Sequence, residues 1–386
     1  MRRIGIAQRR ARLGTRHFLA APASGPAEAA RGVVALHATD PASVFLSVYA
    51  RTAPVEVETI ERALYTERSL IRMLAMRRTM FVVPVESAPV LQAAAAKAIA
   101  LTQRRKYTQF ITDAGVGDGA WLAEVEESTA RALDARGEAT GAQLSTDEPR
   151  LRSQIKLVEG KAYGAQNITT WVLLLLAADG RIVRGRPRGS WTSTQWRWSP
   201  ARAWLPGGMP ELPVESAQVE LVRRWLAAFG PGTVADLRWW TGWTVAHVKR
   251  ALAAIEPVEV DLGGTTGLVL PGDEEPITTP APWISLLPAL DPTAMGWSER
   301  SWYLGPHREA LFDRNGNAGP TVWSEGRIVG GWAQRADGEV VYRLLEDIGG
   351  EAAAEVESAA ARLAKWTGPV RVTPRFRTPL ERELTG

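Results

Sequence analysis

The segment from Val214 to Leu270 constrains the fold more than any other. Val214 to Ala228 has helical periodicity, and Gly230-Pro231-Gly232 breaks it. Thr233 can cap a helix over Val234 to Trp240, Gly242 makes a turn, and Thr244 can cap Val245 to Ile255. In that last helix Val248, Leu252 and Ile255 share one face. Val258 to Leu262 and Gly267 to Leu270 then form a hairpin around Gly263-Gly264. Helix, short glycine turn, helix, hairpin is the winged form of the helix-turn-helix.

Two earlier segments read as the same kind of unit. In the first, Pro54 to Leu64 is an amphipathic helix. Thr66 caps a second helix, Glu67 to Met76, with Leu70, Met73 and Leu74 facing a core and Arg68 and Arg72 on another face. Thr79 to Val83 is a strand ended by Pro84. In the second, Leu122 to Ala135 is a helix stopping near Gly137, Thr140 opens a shorter one, and Leu151 to Val158 is a further helix. Trp171 to Ala178 reads as a buried strand, Asp179-Gly180 as a hairpin turn, and Arg181 as the start of the return strand, or wing. After Pro271, short β segments alternate with turns: Trp283 to Leu287, Thr321 to Trp323, Arg327 to Trp332 and Glu339 to Leu345, with one late helix, Glu351 to Ala364. The expected fold class is α+β, with three tandem winged-helix units plus a C-terminal β-barrel-like domain. The boundaries fall at 1–92, 93–206, 207–275 and 276–386.

Composition bears on partners. The chain has 386 residues, no cysteine and 16 tryptophans. Thiolate metal sites, disulfides and a cysteine nucleophile are therefore excluded. No apolar run approaches the roughly 20 residues of a spanning helix, and the arginine-rich N-terminus lacks the apolar core of a secretory signal. A cytoplasmic, nucleoid-associated monomer is the expectation. Lys plus Arg number 46 against 42 Asp plus Glu, a net charge of +4. Only six of the basic residues are lysine. Arginine with tryptophan is compatible with a polyanion, and a GC-rich genome also enriches arginine. Arg181 to Arg202 holds six arginines, three tryptophans (Trp191, Trp196, Trp198) and no acid. Arginine forks suit phosphate, and indoles can stack beside bases or serve as core anchors. Met1 to Arg16 also holds six arginines and no acid, so it reads as a disordered or backbone-tracking arm.

The chain has four histidines, His17, His37, His247 and His307, without the spacing of a metal cluster, and no Walker or Gly-x-Ser-x-Gly motif. Val33-Val-Ala-Leu-His37-Ala-Thr39-Asp40-Pro41 stands apart: in extended backbone His37 and Thr39 lie on one side, and Asp40-Pro41 turns into a helix carrying Phe45, Leu46 and Tyr49. Gly32 to Pro41, Leu46-Ser-Val-Tyr-Ala-Arg51, Leu64-Tyr-Thr-Glu-Arg68 and Met76-Arg-Arg-Thr-Met80 resemble segments of a known family. So do Gly185-Arg-Pro-Arg-Gly-Ser-Trp191, Leu287-Pro-Ala-Leu-Asp-Pro292 and Gly326-Arg-Ile-Val-Gly-Gly-Trp332. The chain resembles the helix-turn-helix 42 superfamily, the AlkZ/YcaQ-like bacterial DNA glycosylases.

The resemblance implies tandem winged helices and a β-barrel around a concave DNA-binding face. It implies cleavage of the N-glycosidic bond of bulky or N7-alkylated purines in double-stranded DNA, without cofactor or metal, in repair or in self-resistance to a DNA-alkylating natural product. The family's Gln-x-Gln or Gln-x-Asp signature falls here on His37 and Thr39. Histidine can orient a water or take its proton, Thr39 can hydrogen-bond the water, and Asp40 can help electrostatically. The competing reading makes His37 and Thr39 turn residues of a member with lost or changed activity. Arg51, Arg68, Arg72, Arg77, Arg78, Arg184, Arg186, Arg188 and Trp191 are the expected DNA contacts, and Trp239, Trp240 and Trp243 the expected core of the third unit. The alternatives are a winged-helix transcription regulator without glycosylase activity, which would footprint a sequence and release no base, and a protein-interaction scaffold, which would show no salt-dependent DNA affinity.

Overall fold

The computed structural model describes residues 1–52, 54–155 and 166–386. Its third unit matches the sequence closely. Helices Val214–Phe229, Val234–Thr241 and Val245–Ala253 precede strands Val258–Asp261 and Thr266–Val269. The Thr233 hydroxyl accepts from Asp236 N, and the Asp236 carboxylate accepts from Thr233 N, a reciprocal capping box. Gly242 ends its helix in the left-handed region at φ 74°.

The first two units share this connectivity but not all of the expected elements. In the first, helix Pro26–Gly32 leads to strand Leu36–His37, helices Pro41–Tyr49 and Val57–Tyr65, and strands Leu70–Ala75 and Thr79–Pro84. Strand Thr79–Pro84 lies between the other two. The expected helix over Glu67 to Met76 is thus a strand. All six residues of Leu70–Ala75 are buried, so the spacing of Leu70, Met73 and Leu74 marked a doubly covered strand rather than one helix face. In the second unit, helix Gly119–Arg136 leads through a bridge between Ala139 and Trp198 to helices Gly141–Asp147 and Thr169–Ala178, then to strands Ile182–Pro187 and Trp196–Pro200. Trp171 to Ala178 is a helix, not a strand. It is apolar and buried nearly all round, which erases the helical period. Asp179-Gly180 is correspondingly its C-terminal cap, with Gly180 at φ 71°, and not a hairpin turn. The expected helix Leu151 to Val158 begins instead as a 3-10 turn, Pro149–Arg152, and a short strand, Gln154–Ile155. Its remainder lies outside the described residues.

In all three units the residue or strand after the first helix pairs with the last strand: Leu36–His37 with Thr79–Pro84, Ala139 with Trp198, Gly232 with Leu268. The C-terminal strands, Ile284–Leu287, Thr321–Ser324, Arg327–Gln334 and Val340–Leu344, pair antiparallel in chain order. This is an open four-stranded sheet, flanked by helices Gly350–Thr367 and Pro379–Thr385, rather than the expected barrel. The N-terminus is also corrected. It forms helix Ile6–Arg16, whose Arg12 and Arg16 meet Asp273 at 2.8 and 2.5 Å, while Arg2 pairs with Glu275. The acids that answer this acid-free arm lie about 260 residues away in sequence.

One hydrophobic core joins the first unit, the third unit and the C-terminal sheet. A separate core, with Tyr107 stacked on Trp171 at 4.7 Å, fills the second unit. No described helix is long and apolar enough to cross a membrane.

Candidate active site

The first unit, second unit, third unit and C-terminal region meet around a cavity of about 840 Å³. His37 and Thr39 line it. Ala38 between them is fully buried and donates its N–H to Met80 O at 2.8 Å. Alternation along extended backbone therefore turns His37 and Thr39 outward together. The His37 ring meets Phe81 edge-on at 5.5 Å, and its Nδ1 is buried without a protein partner. Burial first, and the Arg77 charge second, push its pKa down to about 4. At neutral pH it is a neutral imidazole, able to accept or donate one hydrogen bond at each nitrogen.

Asp40 does not line the cavity. One carboxylate oxygen caps helix Pro41–Tyr49 by accepting from Ala42 N at 3.1 Å, and the other accepts from Arg375 N at 3.0 Å. It ties the C-terminal segment to the turn after His37, and burial raises its pKa.

The expected DNA contacts divide sharply. Arg77, Arg78 and Arg184 line the cavity. Arg51 does not: it is fully buried, donating to Asp291 at 2.6 and 2.8 Å, to Thr293 Oγ1 and to Ser47 O. That network joins the first unit to the C-terminal region, so Arg51 is corrected to a structural cation. Trp191 is likewise corrected. It is buried against Phe45 and Trp366, with ring centroids 5.1 and 5.7 Å away. Arg186 pairs with Glu61 and stacks on Tyr65. Arg72 is buried behind Trp196. Arg68 is exposed, donating to Ala203 O and lying over Trp204, away from the cavity. Arg188 is exposed in the loop joining the two wing strands.

The wing itself is clamped. Trp204 donates to Leu64 O and Leu70 O, and Arg181, Arg197 and Arg202 pair with Glu127, Glu138 and Asp134. The basic segment expected to contact phosphate instead forms part of the cavity wall, and four of its six arginines pair with carboxylates of the protein.

Sequence reasoning missed several lining residues. Trp239, assigned to core packing, is half-buried in the cavity wall, with Arg77 and Arg300 guanidiniums 4.7 and 4.8 Å from its ring centre. Trp240 also lines the cavity, and Trp243 packs partly buried on the core as expected. Trp196 and Trp198, two residues apart on one strand, present the same face to the cavity, a spacing that was visible. Arg375, Asn167 and Asn317 carried no signal.

Arg77, Arg184 and Arg375 take part in no ion pair among the described residues, and Arg78 meets only an amide, Gln103 Oε1 at 3.1 Å. No carboxylate lines the cavity among the described residues. The site thus combines open guanidiniums, a neutral imidazole, hydroxyls and aromatic faces. That arrangement can hold a polyanion and position water, and among the described residues it offers no carboxylate nucleophile.

A family model described as DNA glycosylase AlkZ-like matches residues 30–366. Among solved structures, the Streptomyces sahachiroi DNA glycosylase AlkZ is similar over 97% of this chain and 99% of that one, with a TM-score of 0.74 at 24% identity. No protein with a curated description matches.

Proposed function

The chain belongs to the AlkZ-like DNA glycosylase family, and from that premise we propose that the central cavity hydrolyses the N-glycosidic bond of bulky or N7-alkylated purines in duplex DNA. The observation that carries the reading is that His37, at the end of a strand, and Thr39, in the bend just after it, line a cavity with four arginines and, among the described residues, no carboxylate. The repeated connectivity supports reading the three units as winged helices grouped around it.

The chemistry follows from the groups present. N7 alkylation makes the purine cationic, so it leaves with the bonding electrons as a neutral base and needs no protonation. The sugar left behind is oxocarbenium-like and accepts a weakly activated water. His37 and Thr39 hold that water by hydrogen bonds, and as the new C–O bond forms the water's proton passes to solvent, directly or by way of His37. With its pKa near 4, His37 is a weak base, so orientation outweighs proton capture. The flanking arginines hold the phosphate backbone, and burial, helped by the charge of Arg77, keeps the His37 imidazole neutral.

The test is incubation with duplexes carrying a panel of N7-alkyl and bulky purine adducts. Free modified base plus an abasic site is the expected product. A sequence-specific footprint with no base released from any adduct would replace the glycosylase reading with the regulator.

A further inference from the structure

Fully buried arginines elsewhere in the chain meet carboxylates: Arg12 meets Asp273 at 2.8 Å and Arg51 meets Asp291 at 2.6 Å. Arg72 is as deeply buried, at 1% exposure, and has no ion pair among the described residues. Its Nη1 donates to Ala38 O at 3.3 Å, and its Nε and Nη2 have no partner. Its guanidinium lies 4.2 Å from the Trp196 ring centre. Arg184 lies 5.6 Å from the same ring and 5.4 Å from Trp198, and its Nε is buried and unpartnered. Burial and the like charges of Arg72 and Arg375 lower its pKa to about 10. Tyr65 and Asp40 act on Arg72 electrostatically without forming an ion pair with it, so two largely buried cations share one indole, and no carboxylate pairs with either of them among the described residues. Such an arrangement is expensive unless a ligand completes it.

We propose that Arg184, backed by Arg72 across Trp196, binds one backbone phosphodiester of the DNA, the one adjoining the nucleotide whose base enters the cavity. Arg184 and His37 line the same cavity, and the phosphates adjoining a nucleotide are the nearest anions to its glycosidic bond. A guanidinium fork matches two phosphate oxygens. Trp196 already engages two guanidiniums, so it is a support for charge rather than a platform for a base. Arg72 is a positioning residue. It holds the Ala38 carbonyl between His37 and Thr39, and so couples phosphate capture to the strand that holds the water. The proposal rests on the glycosylase reading.

The experiment uses the full chain and a duplex with a tetrahydrofuran abasic analogue, with a neutral methylphosphonate placed at each linkage near the analogue in turn. One adjoining linkage should weaken wild-type binding about tenfold. Arg184→Gln should lose a similar amount, become insensitive to that linkage, and flatten the plot of log affinity against log salt by about 0.9. Arg184→Lys should recover part of the affinity, and thermal melts of both variants establish folding. Because the linkage scan uses unaltered protein, it stands even if a variant fails to fold. Salt-dependent binding with no sensitive linkage overturns the phosphate site and leaves the glycosylase reading intact. Absence of salt-dependent binding overturns both. Inorganic phosphate at constant ionic strength should displace the duplex only weakly. If it competes at micromolar concentration in wild type and not in Arg184→Gln, the site serves a free anion and the proposal falls.

Discussion

Among the described residues His37 sits in a cavity wall without acids, and its burial there lowers its pKa. Its folded pKa near 4 means that the active neutral form persists down to that pH. The single-turnover rate of base release should be flat from about pH 5 to 8 and fall as pH drops through about 4; a titration centred near 6.5 would show that His37 is not the group involved. His37→Ala should slow release by at least about 10²-fold, the usual scale for a group that positions or deprotonates a nucleophile. Arg51 poses the opposite case. Arg51→Ala leaves Asp291 charged and buried, so unfolding in urea should show a loss of about 3–5 kcal/mol. The salt dependence of DNA binding should not change. From sequence these two residues looked equally functional. His37 and Thr39 were legible because alternation along a strand is local. The fate of Arg51 depended on Asp291, 240 residues away.

Elements were legible wherever their signals are caps and turns. Thr233, Gly242 and Thr244 placed the third unit because capping acts over three or four residues. Gly242 also does something that no local rule contains: a Cβ there would lie 2.8 Å from Arg77 Cγ. Gly242→Ala, strained at φ 74° and crowding Arg77, should cost about 1 kcal/mol or more in thermal or urea unfolding and lower DNA affinity. Stability loss without any change in DNA binding would separate Arg77 from the binding face. Leu70–Ala75 and Thr169–Ala178 were misread for a common reason. Each is covered on all sides, one as a central-layer strand and one as a core helix, and complete burial removes the alternation that tells the two apart.

For the molecule as a whole, two histidines with lowered pKa values, the buried His17 and the half-buried His37, set the acid limit. His17 is fully buried, its Nε2 donating to Ala228 O at 3.1 Å and its Nδ1 accepting from Thr293 Oγ1 at 2.9 Å, with its pKa pushed down to about 3. The folded state keeps His17 and His37 neutral while the unfolded chain takes up protons near pH 6.5. Stability should therefore be level above about pH 6.5 and decline steadily toward pH 4, measured as urea midpoints; a flat profile over that range would mean neither group is buried in solution. DNA affinity should fall with salt at a slope of about −3 to −4, because four cavity arginines each release roughly 0.9 counterion. A slope near zero would detach the cavity from the backbone. The sequence by itself determined the caps, the turns, the third unit and the strand that offers His37 and Thr39, because each is written within a few residues. Only the tertiary structure decided which arginines remain open, since the acids that answer the others arrive from distant segments and the cavity is made where four regions meet and, among the described residues, bring no carboxylate.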